Sequence, residues 1–462
     1  MDRRGFVLSG AALAALARVS WPGRALATTT PPVAPEDLRS AAREAWLYGL
    51  PLVEAARLRA AAIGDRPQEG KAGFNSFLHQ RTPAGPDLRD VSAPEPDVLY
   101  SSGWIHLGGG PARISVPATG GRYFSLALFD LYGNVLGSVE GREASKNGHD
   151  ITVIGPPPRV GMAGYYAPAP RMPAMHKMIH ARSLWVWALA RTHLEGGEDL
   201  AAAHKLQDGL EIRVKPDKTP PIPAGPVARD APWSDYLFAV QQLINENPPP
   251  QDDVNFFRRI APVQVGIEGG FEKARFADVE TAEIAKGAAE ATVLASRPPA
   301  IEAAGGWTYP KDDLGAFGQD FLYRAQIALT QPGSLRPQAV TCLHAAGAGG
   351  RNISGAARHR LVMPAPPADG FWSLTLYEPQ PDGRLFLTHN PIDRYSVSGW
   401  TPGLRRRADG AVEIVISRSL ADRGPNWLPA PANGPFALIL RAYAPGEPIL
   451  QRRYRPPPLE TL

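Results

Sequence analysis

The sequence predicts an α+β fold: a helix and a first β unit, a mostly helical middle, then a second β unit. Three observations carry this reading. Of 462 residues, 49 are Pro and 46 are Gly, too many for a mostly helical chain. With 44% hydrophobic residues and ten Trp the chain can still build cores, so Pro and Gly mark turns rather than wholesale disorder. The spacing of apolar residues changes along the chain from helical to strand-like, back to helical, and to strand-like again. The length suits two or three packed units.

The elements follow in order. Asp2-Arg3-Arg4-Gly5-Phe6-Val7 precedes a weakly apolar stretch to Val19, and Ala25-Leu26-Ala27 has small residues at signal-peptidase spacing. This segment resembles a twin-arginine signal, with Asp2 and Val7 departing from its usual residues. Residues 1–27 are therefore expected to be a removable signal. The translocase is then a transient partner, and the mature chain is periplasmic or extracellular. The stretch is too short and too weakly apolar for a membrane span, and no later segment reaches about 18 uninterrupted apolar residues.

From Pro35 to Ala62, Leu38, Ala42, Trp46, Leu50 and Val53 recur at three- and four-residue steps. They predict a helix that starts at Pro35 and is kinked or broken at Pro51. Short runs bounded by Gly and Pro from 113 to 154 predict a strand meander, and bulky alternation over 180–191 predicts another strand. The helical period returns at 198–212, 234–244 (Ser234 as N-cap), 277–296 and 317–329, with Pro-rich joints at 216–226 and 248–250. From His359 onward, strand runs about 8 to 15 residues apart suit an antiparallel sandwich or jelly roll. The expected units are 28–192, 193–335 and 336–462.

Charge and motifs exclude several function classes. The chain has 49 basic and 45 acidic residues without long like-charge blocks, so a nucleic-acid partner is not expected. A single cysteine, Cys342, excludes an intrachain disulfide, an iron–sulfur cluster held by this chain and a Cys-based zinc site. As a nucleophile Cys342 needs a nearby His, and His344 is the nearest in sequence. No Walker, GxGxxG, HExxH or GxSxG pattern occurs in the context its mechanism needs.

Several phrases together resemble bacterial proteins that pair the domains of unknown function 1254 and 1214. In the first half these are EAWLYGLPLV (44–53), PDVLYSSGWIHL (96–107), RYFSLALFDLYGN (122–134) and Ile154-Gly155-Pro156. In the second half they are FWSLTLYEP (371–379), HNPIDRYSV (389–397), NWLPAP (426–431) and LRAYAP (440–445). The resemblance implies an Ig-like sandwich behind the first helix, a helical middle and a C-terminal jelly roll, and it implies no agreed reaction. Two departures stand out. Glu95 and Val98 flank Asp97 where members often have Asn in a Pro-Asn-x-Asp-Thr-Leu-Tyr phrase, and 347–350 is Gly-rich where an acidic residue is common.

The candidate chemistry gathers in three places. Glu95, Asp97, Tyr100, Trp104 and His106 bring two carboxylates, a phenol, an indole and an imidazole to one loop-to-strand edge. Such paired carboxylates can split acid and base roles, or Asp97 can cap a turn while the rings fill the core. Asp130, Asn134 and Arg142 suggest a substrate-positioning or purely structural fork of Arg142 on Asp130. Asn390, Arg394, Asn426 and Trp427 suit either a sugar-binding face or tight-turn chemistry. His176 and His180, with His193 or Asp130, have zinc-like spacing, but the strand reading argues against it, so no metal site is assigned and the cofactor is left unknown.

The expected function is thus an enzyme, a hydrolase or lyase acting on a small polar or carboxylated substrate between the two β units. Asp97, Glu95, Tyr100 and His106 are its catalytic candidates. The alternative is a non-catalytic protein that binds a carbohydrate or another small ligand.

Overall fold

Pro35 lacks only an N–H that a first helical turn leaves unpaired, and Glu36 and Asp37 complement the positive end of the dipole. Together they start α1 (Pro35–Ala62). The computed structural model describes residues 34–64, 72–156, 177–196, 199–217, 221–267, 269–299, 301, 305–345, 353–431 and 434–462. The expected signal, His176 and the Gly-rich 347–350 lie outside the described residues. α1 continues through Pro51, so the break expected there does not occur. Leu50, Leu52 and Val53 around it are fully buried, and that packing holds the helix together across the lost hydrogen bond.

The middle of the chain supplies α2 (Leu200–Asp208), α3 (Trp233–Glu246), α4 (Val254–Ile260), α5 (Asp278–Ser296) and α6 (Phe321–Thr330). Helices α3 to α6 pack around α1, forming an apolar core with Trp46, Tyr48, Leu237, Phe256 and Ile284. The α1–α5 crossing is close at Gly287, where a Cβ would lie 2.2 Å from the Arg39 carbonyl oxygen. Three expected boundaries shift. α3 starts at Trp233 behind Pro232, so Ser234 is not its cap. α6 starts at Phe321 because Asp320 accepts the Tyr323 N–H at 3.0 Å. The helix expected to reach 212 stops at Asp208 before Gly209, since Ile212 alternates with exposed Glu211 and Arg213 in a strand.

The first β unit contains β1 (Phe77–His79), β2 (Val98–His106), β3 (Ala112–Val116), β4 (Phe124–Phe129), β5 (Val135–Glu140), β6 (His149–Ile154), β7 (Met178–His180), β8 (Trp185–His193) and β9 (Glu211–Val214). They form two sheets, in the orders β1-β2-β8-β4-β5 and β7-β6-β3-β9. Ile105, Ile114, Leu126, Ile151 and Val186 fill the core of this unit. The antiparallel β2–β8 register sets Tyr100 opposite Arg191 and Trp104 opposite Trp187.

The second β unit follows with β10 (Trp307–Thr308), β11 (Val340–Ala345), β12 (Ile353–Ser354), β13 (His359–Met363), β14 (Ala368–Pro379), β15 (Leu385–Phe386), β16 (Ser396–Ser398), β17 (Val412–Ser417), β18 (Trp427–Pro429), β19 (Pro435–Pro445) and β20 (Glu460–Thr461). One sheet runs β10-β11-β19-β14-β15, with β12 on β19 and β16 on β14; the other runs β18-β17-β13-β20. A short α7 (Glu447–Leu450) lies near the C-terminus. The fold is mixed α+β with mainly antiparallel sheets and no closed barrel among the described residues. The two β units meet through a separate apolar cluster of Val98, Phe129 and Leu189 with Val340, Phe371 and Tyr443.

Candidate functional site

Where the two β units meet α1, the chain forms a partly open cavity of about 340 Å³, within the ~300–1,000 Å³ typical of small-molecule sites. Strand alternation brings Tyr100 and Ser102 of β2, and Trp187, Leu189 and Arg191 of β8, to its wall. Val340 and Cys342 of β11 and Arg441 of β19 face it from the second unit. The end of α1 adds Leu58 and Ala62, the segment leading to β2 adds His79, Val91 and Glu95, and the α6–β11 connection adds Gln331 and Leu335.

At one end of the cavity is a buried ion cluster. Glu95 lies between Pro94 and Pro96, which biases its backbone to an extended conformation. Arg191 Nε donates to both Glu95 oxygens at 3.3 Å, the Tyr443 hydroxyl donates to Oε2 at 2.9 Å, and Arg441 Nε is 3.8 Å from Oε1. Burial alone would raise the Glu95 carboxyl, but the two guanidiniums and Tyr443 outweigh it and hold Glu95 below the usual carboxylate range.

Arg441 donates from Nη1 to Tyr377 Oη at 2.8 Å and from Nη2 to the Ala93 carbonyl at 3.0 Å. Arg191 Nη2 donates to the Gly333 carbonyl at 2.9 Å. Gly333 has φ +75°, and a Cβ there would be 2.7 Å from Leu189, so the turn that supplies this acceptor requires glycine. Arg191 Nη1 is buried without a hydrogen-bond partner among the described residues.

Two further polar groups of the wall are neutral. Burial pushes the Tyr100 phenol and the Cys342 thiol up. His344, behind the wall, contacts Gln331 Nε2 at 2.8 Å; burial and then Arg441 hold it down at about 4. A Cys342 thiol beside a neutral imidazole is not an activated nucleophile.

Of the expected site residues, the cavity gathers Glu95 and Tyr100. Asp97 turns to the second unit, where the Ser373 and Ser396 hydroxyls hold its carboxylate; burial raises it against those two hydrogen bonds. Trp104 stacks on the cavity residue Trp187, with centroids 5.5 Å apart. His106 lies elsewhere, its Nδ1 2.7 Å from Asp217 Oδ2. Asp130 Oδ1 accepts the Asn134 backbone N–H at 2.8 Å, and Arg182 reaches Asp130 Oδ2 at 3.5 Å.

The expected Arg142–Asp130 fork does not form. Arg142, in the exposed turn after β5, pairs with Asp369 at 3.5 Å. Asn390 closes a turn by accepting the Arg394 N–H at 3.1 Å and donating to the Arg394 carbonyl at 2.9 Å. Arg394 Nη1 is spent on the carbonyls of Gly424 and Trp427. Asn426 binds the backbone of Arg405 and Glu413, and Trp427 is buried with its indole N–H on the Ser417 carbonyl. These four serve turns and loops. Among the described residues no group of three His, Cys, Asp or Glu could hold a metal ion.

Arg191 and Gln331 are not among the candidates read from the sequence. A signal for Arg191 did exist. It shares a strand face with Trp187 and Leu189, and a charge on an apolar face needs a partner or a ligand.

The chain matches the family "Protein of unknown function (DUF1254)" over residues 74–214 and "Protein of unknown function (DUF1214)" over 338–447. No curated protein matches it. Among solved structures, the VPA0106 protein from Vibrio parahaemolyticus is similar at 19% identity and TM-score 0.62, over 92% of this chain and 100% of that one. An uncharacterized protein from Burkholderia cenocepacia aligns at 13% identity and TM-score 0.45, over 92% and 94% of the two chains. The first likeness supports the fold across both β units and the helices between them. The chain thus pairs a DUF1254 domain with a DUF1214 domain.

Proposed function

We propose that this is an exported protein that binds a small, largely apolar molecule in the cavity between its two β units. The observation that carries the reading is a cavity between the β units with a mostly apolar surface, into which Glu95, Tyr100, Arg191 and Arg441 converge. Export rests on the Arg3-Arg4 segment and its Ala-x-Ala site. An Ig-like sandwich and a jelly roll remain our reading of the two β units, supported by two sheets in each.

Binding is favoured over a hydrolase or lyase because, among the described residues, the catalytic candidates give the wall no free proton acceptor of the right strength. Glu95 is saturated by Arg191, Arg441 and Tyr443, while Asp97 and His106 are engaged away from it. A carbohydrate fits less well, since most of the lining surface is apolar.

The test is thermal unfolding of the purified chain against a panel of small organic compounds. A binder of the native state raises the midpoint by a few degrees at saturating concentration. Ala62→Phe, which projects a ring from the end of α1 into the cavity, should abolish that rise. A rise that persists in the variant would refute the site.

A further inference from the structure

The same cavity also bears on the chemical class of its ligand, an inference that rests on the binding reading above. Three buried charges stand at its polar end. Arg191 and Arg441 are cationic and share Glu95 as their ion-pair partner. Glu95 cannot serve both guanidiniums fully, because its oxygens already take Arg191 Nε and the Tyr443 hydroxyl. Asp97, held by Ser373 and Ser396, acts on Arg441 through space, and Asp90 is an exposed residue of the lining.

Arg441 has acceptors for both terminal nitrogens, in Tyr377 and Ala93. Arg191 does not: its side chain is only 5% exposed, it borders the cavity, and its Nη1 has no acceptor among the described residues. A second donor stands beside it. Tyr100 Oη accepts the Glu95 N–H at 3.3 Å, and no described residue accepts its own proton. The Arg191 guanidinium lies 5.4 Å from the Tyr100 ring centroid.

We infer that the ligand is a monocarboxylate with a compact apolar body, its carboxylate received by Arg191 Nη1 and the Tyr100 hydroxyl and its body lying against Leu58, Trp187, Leu189 and Val340. One unpartnered guanidinium nitrogen beside one phenol hydroxyl matches the two oxygens of a single carboxylate. A guanidinium N–H meeting a carboxylate forms a stronger hydrogen bond than it does with a neutral acceptor. The cavity of about 340 Å³ lies in the range of small-molecule sites, so a compact aryl-alkyl acid fits.

The probes are 3-phenylpropanoate, 3-phenylpropanamide and 3-phenylpropan-1-ol, matched in shape and differing in charge. Binding to the mature chain is followed by calorimetry and thermal shift at pH 7. The acid is expected to bind about ten- to a hundredfold more tightly than the amide or alcohol. Tyr100→Phe should weaken the acid by several-fold while leaving the neutral probes unchanged, and Arg191→Gln should erase the preference for the acid. If Arg191→Gln fails to fold, the wild-type comparison and Tyr100→Phe still decide. Equal binding of acid and amide, blocked by Ala62→Phe, would overturn the carboxylate and leave the cavity reading standing. No shift with any of the three, or shifts that Ala62→Phe does not touch, would overturn both.

Discussion

Arg191 and Arg324 are both buried arginines with guanidinium nitrogens that lack an acceptor among the described residues, yet their surroundings differ. Arg324 on α6 is boxed by the rings of Tyr48, Tyr132 and Phe321, with centroids 4.6, 5.2 and 4.8 Å from its Cζ, and Asp253 is held nearby by the Tyr48 hydroxyl at 2.8 Å. Ring faces compensate a desolvated cation there. Arg191 has one ring, Tyr100, and borders a cavity. A buried guanidinium nitrogen without an acceptor therefore points to a ligand where a cavity lies beside it; among packed rings it is a structural element of the helix bundle.

The contrast can be tested by mutation, starting with the largest expected effect. Glu95→Ala would leave Arg191 and Arg441 without their shared anion and should cost about 3–5 kcal/mol in urea unfolding. A loss under about 1 kcal/mol would mean that the cluster does not hold the β units together. Arg324→Ala should cost at least about 2 kcal/mol through lost ring contacts and leave the cavity's preference among probes untouched; altered ligand selectivity would erase the distinction between the two arginines.

Acid should weaken the fold through histidines kept neutral by burial. His193, which stacks on Phe371, is held down at about 3, by burial first and then Arg122, and His344 at about 4. The unfolded chain takes up these protons near the ordinary value of 6.5. The stability they supply is therefore present above about pH 6.5 and is lost as pH falls toward 4, by no more than about 1.4 kcal/mol per pH unit for each imidazole. His193→Gln should flatten the dependence of the urea midpoint on pH between 6.5 and 4; an unchanged slope would rule out its contribution. Arg142→Ala should be the mildest change, within about 0.5 kcal/mol, because both members of its pair with Asp369 are exposed; a larger loss would make that contact a true link between the units.

Much of the architecture was readable because it depends on local patterns. Leu38, Ala42, Trp46 and Leu50 share a helix face whatever they pack on, and Gly or Pro ends a strand wherever it stands. The misread boundaries lie where one residue outweighs the pattern, at Gly209, Pro232 and Asp320. The site was half readable. Glu95 and Tyr100 were singled out from one short segment, but Asp97 and His106, only a few positions away, go to other partners.

By itself, the sequence determined the α+β class, the order of helical and β segments and the pairing of the two domains, since periodicity and motif order are properties of neighbours along a chain. Tertiary structure alone decided that Arg191, Arg441 and Tyr443 would surround Glu95. Their sequence separations run from 96 to 348 residues, and only the docking of two sheets sets whether such distant charges meet beside a cavity.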